Sequence, residues 1–143
     1  MHRCLEKWQW LALLVAVCSL YGCSRPKGDR VPVFPVRGRV VFHGPKAQYA
    51  MIVFHPVDQT SKNHNKPFGQ IAEDGSFVLN TYDTGDGAPA GKYVATVIWR
   101  IPGPDEEPGK DIFAQTKYAS PANSPLKVTI DDRTNELEPF RLD

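Results

Sequence analysis

The run Lys92–Ile101, KYVATVIWRI, narrows the choice of fold more than any other part of the sequence. Along an extended chain, Tyr93, Ala95, Val97 and Trp99 fall on one face, and Val94, Thr96 and Ile98 on the other. Successive side chains of a strand point to opposite faces, so a strand apolar on both belongs in the middle of a sheet. Thirteen prolines and eleven glycines separate this run from other short β-rich segments, a pattern that suits tight turns between strands and not helices.

A different signal stands before the β-rich part. Leu11–Cys23, LALLVAVCSLYGC, follows a short region carrying Arg3 and Lys7, offset by Glu6. The apolar core Trp8–Leu20 falls short of the roughly 20 residues that a membrane-spanning helix needs, and it has the length of a signal-peptide core. Its end, Leu20-Tyr21-Gly22-Cys23, resembles a bacterial lipobox. Leu20 takes the hydrophobic position, Gly22 the small residue before the cut, and Cys23 the thiol that receives diacylglycerol, while Tyr21 stands where a small residue is usual. The resemblance implies cleavage between Gly22 and Cys23, and lipidation of Cys23. Cys18 follows the β-branched Val17 and makes a poorer acceptor. Ser24 is compatible with outer-membrane sorting, because an aspartate at that position retains some bacterial lipoproteins at the inner membrane.

The expected organisation is therefore a signal peptide over 1–22, a lipidated proline-punctuated spacer over 23–35 and one domain over 36–143. Removing residues 1–22 from the 143 leaves 121, enough for a single domain that buries more than roughly 60% of its unfolded surface. Cys4, Cys18 and Cys23 are the only cysteines, so the expected mature domain has neither disulfide nor free thiol and must be held by burial. The chain has 17 basic and 16 acidic residues; without Arg3, Lys7 and Glu6 it keeps 15 of each. No basic block stands out, which argues against a nucleic-acid partner.

Within the domain, VRGRVVFH (36–43) reads as a strand and Gly44-Pro45-Lys46 as a turn. YAMIVFH (49–55) reads as a second, core-facing strand. Val57–Lys66 reads as a loop. Asp74-Gly75 carries a tight-hairpin signal ahead of SFVLNTY (76–82), in which Phe77 and Leu79 share one face. A glycine-dense loop, Asp83–Gly91, precedes the central strand. Ile101–Pro125 forms a long connection, which Ile112, Phe113 and Tyr118 are expected to pin to the sheet, with Asp105–Lys110 as an exposed tip. Leu126–Ile130 and Leu137–Leu142 close the chain around the turn DDRTN (131–135). The sum is an all-β sandwich of about seven strands, Ig-like or transthyretin-like in type.

Gly38-Arg39-Val40, Met51–Phe54, Asp74-Gly75-Ser76-Phe77 and Gly91-Lys92-Tyr93 occur in the order found in carboxypeptidase regulatory-like domains, which this region resembles over residues 36–143. The tail around Lys117–Pro121, Ser124–Leu126 and Asn135–Leu137 is similar to small bacterial lipoproteins that carry such a domain. The resemblance implies a transthyretin-like sandwich and a non-catalytic accessory role.

Candidate chemistry is sparse. His43, His55 and His64 lack the spacing of a metal site. Asp83 and Asp86, with Asp74, lack the alternation and closing glutamate of a calcium loop, and turn-making suits them better. Ser76, Ser120 and Ser124 sit in turns, outside any G-x-S-x-G elbow. Glu106 and Glu107 occupy a solvated tip. Tyr82, Phe68 and Phe113 are candidate exposed aromatics for a sugar or protein partner. The reading is a non-enzymatic envelope protein with no cofactor, metal or catalytic residue. It meets the membrane through Cys23 and takes an envelope protein or polysaccharide as partner. The alternative is a small periplasmic metal-binding protein or hydrolase that uses loops at one end of the sandwich.

Overall fold

The computed structural model of the chain describes residues 30–42, 50–58, 65–100 and 111–143. Gly22, Cys23, His43, His64, Glu106 and Glu107 lie outside the described residues, as does the turn at Gly44. The unit Val31–Asp143 is compact by its contacts. It is all-β, with eight strands and one short 3₁₀ turn among the described residues. They are β1 (Val36–Phe42), β2 (Ala50–Pro56), β3 (Phe68–Gln70), β4 (Ser76–Val78), β5 (Gly91–Trp99), β6 (Lys127–Ile130), β7 (Asn135–Glu136) and β8 (Phe140–Leu142).

Two sheets result. The first places β1 between β4, antiparallel, and the short strands β7 and β8, both parallel to β1. The second has the order β3-β2-β5-β6, antiparallel throughout. The apolar run Lys92–Ile101 thus supplies an inner strand, β5, flanked by β2 and β6. Its face Tyr93, Ala95, Val97 and Trp99 is buried, with each residue at most 4% exposed.

The inner faces of both sheets meet around one ring. Phe54, on β2, has its centroid 6.2 Å from Phe77 of β4, 6.2 Å from Phe140 beside β1, and 6.0 Å from Tyr93 of β5. Burying a phenylalanine side chain contributes about 1.5–3 kcal/mol, and edge-on ring pairs add about 0.5–1.5 kcal/mol each. Gly38 shows how tightly this interior closes. It sits opposite Phe77 in register, and a Cβ there would lie 2.5 Å from the Phe77 ring.

Several boundaries differ from the sequence reading, each for a local reason. The Asp74-Gly75 turn is not a two-residue primed turn. Gly75 N–H donates to Ala72 C=O at 2.9 Å, leaving Glu73 and Asp74 central, and Gly75 follows at φ +84° in the left-handed region. This is the three-residue hairpin with glycine at its bulge position. The run 76–82 pairs with β1 only to Val78; Leu79 N–H still donates to Val36 C=O at 3.0 Å, but Asn80 bridges to Phe68 of β3. One extended segment therefore serves both sheets. Leu137–Leu142 is interrupted because Pro139 has no N–H to give the ladder. Phe68–Gln70 forms a strand that the sequence reading passed over. Ahead of β1, Phe34 pairs with Ala88 through two hydrogen bonds of 2.9 and 3.0 Å, so residues assigned to the spacer join the compact unit from Val31.

Replacing Phe77 by Ala should cost about 3–5 kcal/mol in urea unfolding, and Gly38→Ala about 1–3 kcal/mol because the ring above it must move. The double variant should lose clearly less than the sum of the two. Strict additivity would show that the ring does not rest on Gly38.

Candidate functional site

The candidate surface begins where β5 starts. The preceding loop, Thr81–Ala90, is ordered by one carboxylate. Asp86 accepts hydrogen bonds from the backbone N–H groups of Thr81 (2.7 Å), Tyr82 (2.9 Å) and Asp83 (2.9 Å). Thr81 Oγ1 donates to Gly87 C=O at 2.6 Å and closes the loop from the other side. Asp86 therefore caps a turn. Asp74 does the same at its own turn, accepting from Ser76 N–H (2.9 Å) and Ser76 Oγ–H (2.6 Å). The Ser76 hydroxyl, before all else, holds the Asp74 carboxyl below its ordinary pKa.

Tyr93 fixes the floor. Its ring lies in the core while its hydroxyl donates to Pro89 C=O at 2.9 Å, and burial raises its pKa to about 12. Beside it, a groove of about 370 Å³ is lined by Val31, Pro32, Phe34, Pro56, Asp58 and Lys92, among others. A second groove, about 390 Å³, adjoins Val57, Lys92, Val94, Lys127 and Thr129. Lys92 and Tyr93 line both.

The second groove opens onto the outer face of the β3-β2-β5-β6 sheet. By register, Met51, Val53 and His55 share that face with Val94, Thr96, Ile98, Phe68 and Lys127. His55 Nε2 lies 2.9 Å from Thr96 Oγ1, and burial followed by the Lys66 charge lowers the imidazole pKa. Here His55 is a strand residue bonded to its neighbour. Among the described residues, no group of three His, Cys, Asp or Glu side chains could hold a metal ion.

The serines considered for hydrolysis are each bonded locally. Ser124 is buried and its hydroxyl donates to Ala95 C=O at 2.5 Å, Ser120 Oγ accepts from Ala122 N–H at 3.3 Å, and Ser76 bonds to Asp74. Of the three candidate aromatics, Phe113 stacks on Trp99 at 5.9 Å and meets Tyr118 edge-on at 6.1 Å. Tyr82 is half-buried and its hydroxyl accepts from Val31 N–H at 3.2 Å. Phe68, 45% exposed, is alone of the three on the open surface. In the long connection, Phe113 and Tyr118 pack on the core as expected, whereas Ile112 is 40% exposed.

The arrangement offers a mostly apolar sheet face with ammonium groups at one end, which is the equipment of a contact surface. Searches found no family model, curated protein or solved structure that matches this chain.

Asp86→Ala should strand three N–H donors and cost about 1–3 kcal/mol, with faster amide exchange at residues 81–83. Unchanged exchange there would refute the role of the carboxylate. Because the pKa of Tyr93 is raised in the fold, its contribution is complete below pH 10 and is lost as pH rises towards about 12. Tyr93→Phe should flatten that alkaline decline in a thermal-melt series.

Proposed function

We propose that this chain is a non-catalytic lipoprotein of the cell envelope, its β-rich unit a binding or structural module moored through Cys23. One observation carries the reading: an apolar run too short to span a bilayer ends in Leu20-Tyr21-Gly22-Cys23, and no cysteine follows it. A thiol at that position suits acylation, and the two chains of a diacylglycerol anchor a protein far more durably than one. The unit beyond is equipped to stand without disulfides. Its buried core includes Phe54, Phe77, Tyr93, Trp99 and Tyr118, and none of its stability depends on sulfur chemistry.

For the fold we favour a transthyretin-like sandwich of the carboxypeptidase regulatory-like kind. Two facing sheets with mainly antiparallel pairing are compatible with it. The partner we favour is an envelope protein or polysaccharide, and Ser24 favours the outer membrane.

Mass spectrometry of the native product should find residue 23 as the first residue, with acyl chains on its sulfur. An intact Met1 or an unmodified thiol would overturn the reading. Globomycin should cause precursor to accumulate, and Cys23→Ser should move the protein from the detergent phase to the aqueous phase on partitioning.

A further inference from the structure

The outer face of the β3-β2-β5-β6 sheet has an unusual make-up. Met51, Val53, Val94 and Ile98 form its centre and Phe68 stands out at its edge, 45% exposed. None of the four strands contains an acidic residue, whereas Lys92 and Lys127 lie on this face and Lys66 acts on His55 there. Among the described residues, carboxylates stand beyond the strand ends: Asp58 lines the groove beside Lys92, Asp111 accepts from Trp99 N–H at 3.1 Å at the far end of β5, and Asp131 is paired with Arg133 at 2.8 Å. The outer face of the other sheet is of mixed sign. Arg37, Arg39 and Arg141 share it with Glu136, and Asp74 lies 3.6 Å from Arg39.

The chain also enters the unit at the lysine end of the apolar face, since Val31 and Pro32 line the same groove as Lys92. Seven residues lie between Cys23 and Val31, eight steps along the chain and a reach of at most about 28 Å at about 3.5 Å per step. Lys92 to Ile98 extends about 20 Å along the strand at about 3.4 Å per residue. A tether of that length, leaving from that edge, lets the whole face lie on the surface in which the anchor sits.

We infer that this face docks flat on the bilayer carrying the Cys23 anchor, with Lys66, Lys92 and Lys127 against anionic headgroups and Phe68 and Val53 against the interface. The inference rests on the lipid-anchor reading above. Docking fixes which way the domain faces: the arginine-bearing sheet is left for a partner.

The test compares two positions of nearly equal exposure on opposite faces, Phe68 (45%) and Val78 (42%). With Cys23 acylated, Phe68→Cys or Val78→Cys supplies a unique thiol in the mature chain for a polarity-sensitive dye. The lipidated protein is reconstituted in phosphatidylethanolamine–phosphatidylglycerol vesicles that contain brominated lipid. Quenching should be several-fold stronger at 68 than at 78. Changing Lys66, Lys92 or Lys127 to Gln should lower the docked-to-undocked ratio about fivefold for each positive charge removed. Equal quenching at both positions in protein that floats with the vesicles overturns the docking and leaves the anchor standing. Protein that neither floats nor carries acyl groups overturns both. A dye at 68 that is shielded without quenching, in protein of doubled mass in detergent, overturns docking in favour of self-association.

Discussion

The contact between Phe54 and the rings facing it is what the rest of this structure depends on. No disulfide joins the sheets, because every cysteine precedes Ser24. What holds them is the apolar area removed from water where β2 meets β4 and β8. Phe77 and Phe140 stack at 6.2 Å and an interplanar angle of 13°, and Phe54 meets both edge-on, so three elements distant in sequence share one contact. A second aromatic group, Phe42, Trp99, Phe113 and Tyr118, extends the interior at the other end of β5 and draws the long connection onto it.

That division of labour explains why so few side chains are left for chemistry. Polar groups that looked available in the sequence are consumed in holding turns. Asp86 satisfies three backbone donors, Asn135 closes its loop through Asp131 and Arg133, and Ser124 anchors the approach to β6 on Ala95. A buried or half-buried backbone N–H without a partner costs more than a typical hydrogen bond contributes, so these side chains are needed where they are. What the surface presents is a difference of composition: an apolar face with lysines on one sheet, and arginines mixed with carboxylates on the other.

How far the sequence could be read follows from the same physics. β5 was legible because both of its faces are apolar, and Tyr93 because a buried phenol needs a carbonyl, which Pro89 provides. The phase of β4, with Phe77 inward, followed from alternation alone. The sheet switch at Leu79–Asn80 was not legible, since alternation reports which way a side chain points and says nothing of which neighbour the backbone pairs with. β3 was missed because three residues around Gly69 are too few to set a period. Gly69 is in fact required by closeness, as a Cβ there would lie 2.7 Å from Val78 C=O. Among the candidate site residues, Phe68 could be proposed as exposed from its polar surroundings. Phe113 could be read both as a pin for the long connection and as an exposed aromatic; its stacking on Trp99, fourteen places earlier in the chain, decides for the pin.

The parallel pairing of β1 with β8 has a consequence for the order of assembly. Val40 lies in register with Phe140, so the first strand of the unit, which has β4 on one side, gains its neighbour on the other only when nearly all of the chain is present. The β2–β5–β6 ladder needs shorter closures and can form earlier. Contacts of long sequence separation slow folding, because the entropy of closing the loop is lost before the contact is made. A nascent chain would therefore pass through an interval with the first sheet incomplete and Phe140 not yet against Phe54.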